Sequence, residues 1–266
     1  KCLCIPDDKP VFTFPTIASN CSACTSVSIM YNEDGSFLKP HFFVRPVMHT
    51  FIDADIIVRA PSRYMWAGIG DTYAKYYEAT ISSRGEQLEH YTALGVAVST
   101  MCRDPLLAYG SRALADHKQG LCSHDVEQVV LAIVVTTGIA SIFLTKDFTP
   151  DYNSGLAHAV FYAMTAYPVI EQRHLHGEVV GFGVLLALLV DHQEEEFEKI
   201  YQLNRAVGLP VSLEQIEITD AQWQECMERI PAMSDIAHYP YRVTKEMLAD
   251  AMQRLRRRVE PDDPRA

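Results

Sequence analysis

Three stretches of the chain each set one side chain able to bind a metal or move a proton among small or apolar neighbours. In Ala67-Gly68-Ile69-Gly70-Asp71-Thr72-Tyr73-Ala74, glycines beside Asp71 would let another backbone or a ligand come close. A carboxylate buried without a partner is costly, so Asp71 needs a cation or several donors. In Ser154-Gly155-Leu156-Ala157-His158-Ala159-Val160, one imidazole stands in an apolar helix. In His174-Leu175-His176-Gly177-Glu178, His176 precedes the apolar run from Val179, which places it near a helix N-terminus and facing the core. One carboxylate and two imidazoles on separate helices suit a divalent metal with an open position. Each residue also has a plainer reading, as a hydrogen-bonded core histidine or a buried acceptor or cap. Spacing alone does not decide between them, because the three lie far apart in sequence.

The cysteines offer a rival. Cys2-x-Cys4 and Cys21-x-x-Cys24 could form a four-thiolate zinc site. The C-x-C half lacks the usual knuckle spacing, and the strand-like run 11–14 between the pairs would have to fold back. Otherwise Cys21 and Cys24 are small residues in a loop. The run Glu194-Glu195-Glu196 reads as the solvated start of a helix, where negative charge is favourable. Among the remaining histidines only His238, in the polar loop His238-Tyr239-Pro240, stands out from surface or packing roles.

The elements that must position these groups change character near Pro61. Before it, residues 11–14, 26–31, 42–44 and 51–58 read as strands, and Asn32-Glu33-Asp34-Gly35 as a turn. After it the period is helical: 62–79, 86–101, 105–117, 123–144, 154–166, 177–191, 194–207, 220–230 and 245–259. Ser212-x-x-Gln215 has the form of a capping box. An α/β remnant over 1–60 therefore leads into an all-helical, metal-binding domain over 61–266.

The 266 residues carry 23 Lys plus Arg against 34 Asp plus Glu, a net charge of −11, which argues against nucleic acid or an anionic membrane as partner. An apolar content of 48% excludes a disordered chain. The apolar run 179–190 is broken by glycines and too short to cross a bilayer. Seven cysteines in a chain too large to need staples point to reduced thiols in the cytoplasm.

Four motifs together resemble one family. Pro15-Thr16-Ile17-Ala18-Ser19 and Thr25-x-Val27-Ser28-x-x-Tyr31 are similar to the cofactor-binding loop and hairpin of the glycerol dehydrogenase group of iron-containing (group III) alcohol dehydrogenases. Gly68-Ile69-Gly70-Asp71-x-x-Ala74-Lys75-x-Tyr77-Glu78 resembles that group's first metal-ligand helix. Gly155-Leu156-Ala157-His158-Ala159 and His176-Gly177-Glu178-x-Val180-x-Phe182-Gly183 resemble its two histidine segments. The resemblance implies a dehydroquinate synthase-like fold, with an α/β dinucleotide domain, an all-α domain and a cleft between them. It also implies hydride transfer with NAD(P) on one divalent metal, zinc rather than iron. By position Asp71, His158 and His176 would be ligands, while Thr16, Ser19, Thr25, Val27 and Tyr31 would contact the cofactor. A homo-oligomer acting on a small molecule is expected.

Three departures refine this reading. The family's glycine-rich pyrophosphate turn is absent, and would lie before Lys1 with roughly 100 residues of nucleotide-binding structure. Cys21 stands where glycerol dehydrogenases place an Asp that holds polyol hydroxyls; this is closer to the hydroxycarboxylate dehydrogenase branch and makes Cys21 a substrate-binding candidate. Phe161 stands where a further His often follows the second ligand. The expected activity is oxidoreduction of a small 2-oxo or 2-hydroxy acid. A glycerol or polyol dehydrogenase, a dehydroquinate synthase-type lyase and a non-catalytic metal-binding remnant are the alternatives.

Overall fold

The computed structural model describes residues 9–32, 37–147, 149–150 and 152–259. Before Pro61 lie four short strands, β1 (Phe12–Thr13), β2 (Val27–Tyr31), β3 (Phe37–Phe42) and β4 (His49–Thr50). β1 pairs in parallel with β4, and β2 forms an antiparallel hairpin with β3. Most of the turn expected between them lies outside the described residues. The third strand ends at Phe42 rather than beginning there. The expected strand over 51–58 is largely replaced by a helical turn, α1 (Ala54–Ile57). The Asp53 carboxylate accepts from the Asp55 and Ile56 amides at 3.0 and 3.3 Å, and this cap outweighs the β-branched composition.

The helices that follow are α2 (Arg63–Ser82), α3 (His90–Lys118), α4 (His124–Leu131), α5 (Thr137–Phe143), α6 (Leu156–Met164), α7 (Pro168–Arg173), α8 (His176–Val190), α9 (Glu194–Val207), α10 (Asp220–Arg229) and α11 (Lys245–Val259). Where two helices were expected around Pro105, α3 runs through it. Cys102, Pro105 and Leu106 are all buried, so packing on both sides of the proline holds the helix together against its local preference. The expected helix over 123–144 is interrupted by a π turn at Ala132–Thr136, where the Thr137 hydroxyl donates to the Ala132 carbonyl at 2.9 Å. α7 was not expected; it starts on Pro168, whose missing N–H costs nothing at that position. The Ser212 box does not form, because Gln215 Oε1 takes the Val211 amide at 2.7 Å. The box lies instead between Thr219 and Gln222. The helical part is not wholly α: β5 (Thr145–Lys146) and β6 (Thr149–Pro150) form a short antiparallel pair.

Among the described residues one stretch, His124–Phe143, is long and apolar enough to cross a membrane, while the run 179–190 is too short. Its face bearing Val126, Val129, Val130, Ile133 and Val134 is buried in the core, and the π turn breaks it midway.

α8 is apolar all round and, after His176, buried throughout, as the central helix of a bundle must be. α2, α6, α9 and α11 pack around it. Glycines set how closely. A Cβ on Gly177 would lie 2.0 Å from the Ala67 carbonyl oxygen, and one on Gly70 would lie 2.1 Å from the Gly177 carbonyl oxygen. A Cβ on Gly183 would come within 2.6 Å of the Ala157 carbonyl oxygen. The backbones of α2 and α8, and of α8 and α6, thus meet where only glycine fits.

At the far end of the same helix pair, Asp191 caps α8. It accepts from Arg84 Nη1 at 3.0 Å, from the Tyr241 hydroxyl at 2.7 Å and from Gln193 Nε2 at 2.7 Å. Burial opposes its ionisation, but these hydrogen bonds and the Arg84 charge hold its carboxyl below the usual range.

Two expectations about stability follow from these contacts. Gly177→Ala should lower unfolding stability by at least ~1–3 kcal/mol through overpacking. Gly110→Ala, whose new Cβ would meet Leu203 at an ordinary 3.5 Å, should be neutral or up to about 1 kcal/mol more stable, from helix propensity. Urea midpoints at constant slope measure both, and equal effects would refute the close-approach argument. For Asp191 the folded pKa is depressed. Its stabilisation is present above the unfolded carboxyl value of about 3.9 and is lost as pH falls through the folded value. The Tm deficit of Asp191→Asn at pH 7 should therefore shrink in acid, as followed by calorimetry; a deficit constant down to pH 3 would contradict it.

Candidate metal centre

The close crossing of α2 and α8 brings Asp71, in the middle of α2, to His176, the first residue of α8. Asp71 Oδ1 lies 3.3 Å from His176 Nε2 and 3.8 Å from His158 Nε2, which α6 supplies. One ligand atom from each residue lies within 4.8 Å of the others, and among the described residues this is the one such cluster of three. Donors on bonds of about 2.1 Å around a tetrahedral ion stand roughly 3.4 Å apart, so the residues present fit a divalent metal after a small contraction. The three side chains that the sequence left far apart therefore meet in one place, in an arrangement that could hold such an ion.

His176 does not face the core as expected. Its side chain is 44% exposed, because the core begins one residue later at Gly177. It forms the open side of the site, while Asp71 and His158 form the closed side. Phe161, where a further histidine might have stood, meets the His176 ring edge-on at 4.4 Å.

Glu78 completes the arrangement. It lies seven residues beyond Asp71 on α2, fully buried, with one carboxylate oxygen accepting the His158 amide at 2.9 Å. The other oxygen is 2.7 Å from His158 Nδ1. Holding the proton on Nδ1 fixes the ring and leaves the Nε2 lone pair pointing at Asp71 and His176, the usual outer partner of a metal-binding histidine. Burial works against a charged His158, but Glu78 and then Asp71 outweigh it and raise its pKa. Burial likewise opposes ionisation of Asp71, yet the His176 hydrogen bond and the charges of His176, His158 and Lys75 hold its carboxyl down to about 2. Sequence reading missed Glu78 as a functional group; its two-turn spacing from Asp71 on one helix was the available signal.

Cys21 lies in the loop before β2, with its carbonyl accepting from the Cys24 and Thr25 amides. Burial, and then the Asp71 carboxylate, push its thiol up to about 11, so it faces the site as a neutral group. Gly68 on α2 and Gly138 on α5 allow this loop its close approach: their Cβ positions would fall 2.6 Å from the Ala18 carbonyl oxygen and 2.7 Å from Cys24 Cβ. Thr16 is exposed and Ser19 half-buried in the same loop. Thr25 is buried, with its hydroxyl donating to the Val27 carbonyl at 3.4 Å. Val27 opens β2 and Tyr31 ends it. The structure therefore places Cys21 within electrostatic reach of Asp71, and spreads the five expected cofactor contacts along the loop and hairpin.

Cys2 and Cys4 lie outside the described residues; Cys24 Sγ sits 3.4 Å from the Thr50 hydroxyl. His238 turns away from the ligands to Glu86, at 3.0 Å, while its neighbour Tyr239 accepts the Leu156 amide at the start of α6. Glu196 is not merely solvated, since it takes the Tyr77 hydroxyl at 2.7 Å and Arg103 at 3.1 Å.

No family model matches the chain. It is 33% identical over 222 residues to a glycerol dehydrogenase of Pseudomonas putida, covering 79% of this chain and 57% of that one. It is 30% identical over 252 residues to hydroxycarboxylate dehydrogenase A of Escherichia coli, covering 92% of this chain and 68% of that one. The crystal structure of a glycerol dehydrogenase from Schizosaccharomyces pombe superposes with a TM-score of 0.79 at 26% identity, over 96% of this chain and 65% of that one. The chain thus spans about half the length of the glycerol dehydrogenases it matches.

The site should bind one divalent ion per chain, and Asp71→Ala combined with His158→Ala should abolish this. Glu78→Gln should weaken it by about 10–100-fold. Zinc titration against a chromophoric chelator measures both. Wild-type stoichiometry in the double variant would sink the assignment, and loss of zinc in Cys21→Ser with Cys24→Ser would favour the thiolate site.

Proposed function

The chain belongs to the glycerol dehydrogenase group of the iron-containing alcohol dehydrogenase family, and on that premise we propose that it is a metal-dependent oxidoreductase acting with NAD(P) on small 2-oxo or 2-hydroxy acids. The observation that carries the proposal is the convergence of Asp71, His158 and His176, with Glu78 fixing the His158 ring. When bound, the metal would polarise the substrate oxygen and the nicotinamide would carry the hydride. The protein's own part is placement. α2, α6 and α8 hold three donors on one side and leave the exposed side of His176 open to substrate.

Cys21 bears on the choice of substrate. A carboxylate at this place would accept hydrogen bonds from a polyol and repel an anion. The neutral thiol does neither, which favours a carboxylate substrate. Phe161 beside His176 adds an apolar wall and no proton acceptor at that place. Thr16, Ser19, Thr25, Val27 and Tyr31 are proposed to touch the cofactor. Zinc as the resident ion, a reducing compartment suited to the free thiols of Cys21, Cys24, Cys102, Cys122 and Cys226, and a homo-oligomeric assembly complete the reading.

Polyol oxidation is the second reading, favoured by the glycerol dehydrogenases among the relatives. Steady-state kinetics with NADH or NAD on short 2-oxo acids, aldehydes and polyols separates the two. Glycerol loses an acceptor worth roughly 1–3 kcal/mol, so kcat/KM should be higher for a 2-oxo acid, and Cys21→Asp should shift the ratio towards glycerol. Faster turnover of glycerol by the unaltered protein would refute the substrate while leaving the metal site intact. Metal analysis giving iron in place of zinc would overturn only the identity of the ion.

A further inference from the structure

Lys75 lies one helical turn beyond Asp71, on the same face of α2, and is only 6% exposed. Lysines are rarely buried so deeply unless paired with a carboxylate. This one makes no ion pair among the described residues. Its Nζ donates to Asn153 Oδ1 at 2.6 Å and to the Asn153 main-chain carbonyl, both neutral oxygens. An ammonium has three N–H donors, so two are used and its charge is left without a counter-charge in contact.

We propose that Lys75 is a specificity-determining residue, whose charge favours an anionic substrate, a 2-oxo or 2-hydroxy carboxylate, beside Asp71, His158 and His176. This rests on the reading above and deepens it. Lys75 acts electrostatically on the groups around the site: Asp71, His158, Cys21 and Cys102 all feel its field. The charge balance points the same way. Asp71 and Glu78 contribute two carboxylates, and a divalent ion cancels them. The thiols of Cys21 and Cys102 stay neutral, pushed up to about 11 and 12 chiefly by burial. Lys75 then leaves one positive charge in a largely buried setting, which one substrate carboxylate neutralises and a polyol does not. With a carboxylate at position 21 the same site would be neutral without any anionic ligand.

Tethering also links α2 to the segment before α6, so a purely structural role must be separated from the electrostatic one. The two predict opposite signs. A nearby cation opposes a bound metal ion but attracts an anion. Lys75→Gln should therefore bind zinc several-fold more tightly than wild type. The zinc-loaded variant should bind oxamate, a 2-oxo carboxylate probe, about tenfold more weakly, with glycerol binding unmoved. Lys75→Arg, which keeps the charge, should restore oxamate binding. Calorimetric titration of zinc into the metal-free protein, and of oxamate and glycerol into the zinc-loaded protein, reads all of these without turnover. If wild type binds oxamate and Lys75→Gln binds it equally well, this inference falls and the substrate reading stands. If wild type does not bind oxamate, both fall. If Lys75→Gln and Lys75→Arg lose zinc and oxamate together, or fail to fold, Lys75 is a structural tie and the proposal is overturned.

Discussion

Gly70 on α2 and Gly177 on α8 each face a carbonyl oxygen of the other helix at a distance no side chain could occupy. That backbone contact fixes the rest of the site. Asp71 follows Gly70 directly and His176 precedes Gly177, so the residues that permit the approach adjoin the ones that exploit it. With the two backbones this close, Asp71 Oδ1 and His176 Nε2 stand 3.3 Å apart. Gly183 against Ala157 repeats the device on α6 and delivers His158 from a third direction. Three candidate donors from three helices thus depend on interfaces that tolerate no added methyl group.

Such packing leaves little water in the interior, and the buried polar groups must satisfy one another. Glu78 has no solvent exposure to speak of, yet both of its oxygens are used, one on the His158 amide and one on its ring. It performs two jobs at once: it takes up an N–H left open in the first turn of α6, and it dictates which nitrogen of the imidazole is available. Lys75 and Asn153 make a similar tie one turn earlier on α2. The face of α2 that meets α6 therefore reads Asp71, Lys75, Glu78 in succession, a ligand, a cation and an orienting carboxylate.

Much of this could be read along the chain, and the unread part has physical causes. Asp71, His158 and His176 were visible because a polar group in an apolar helix needs an explanation. Their convergence was not visible from the residues themselves, since tertiary distance is not encoded in spacing; the resemblance supplied it. α9 and α11 matched their periodic pattern closely, as strongly amphipathic helices do. Pro105 misled because the local cost of a proline was outweighed by burial on both flanks. Asp53 misled in the opposite sense, since a single side-chain cap turned a strand-like run into a helical turn. Glu78 went unrecognised because its role exists only once α6 has docked, and it looks like any charged helix residue until then.

The three donors and the groups proposed to bear on substrate choice are held by different contacts. Asp71, His158 and His176 are held by helix–helix contacts that cannot shift without unpacking the core. Cys21 comes from a loop laid across α2 and α5, Phe161 from α6, and Lys75, on α2 itself, is tied to Asn153 in the segment before α6. Cys21 and Phe161 stand outside the α2–α8 contact, so a change at either alters the polarity around the three donors while that contact is kept. Electrostatics then makes single changes large, because a site this poorly solvated screens little. Replacing one neutral thiol by a carboxylate, or removing one ammonium, changes the net charge of the centre by a full unit while the metal geometry stays the same. On the proposed reading, the charge around the three donors, rather than the donors themselves, sets the preference between a neutral polyol and an anionic acid.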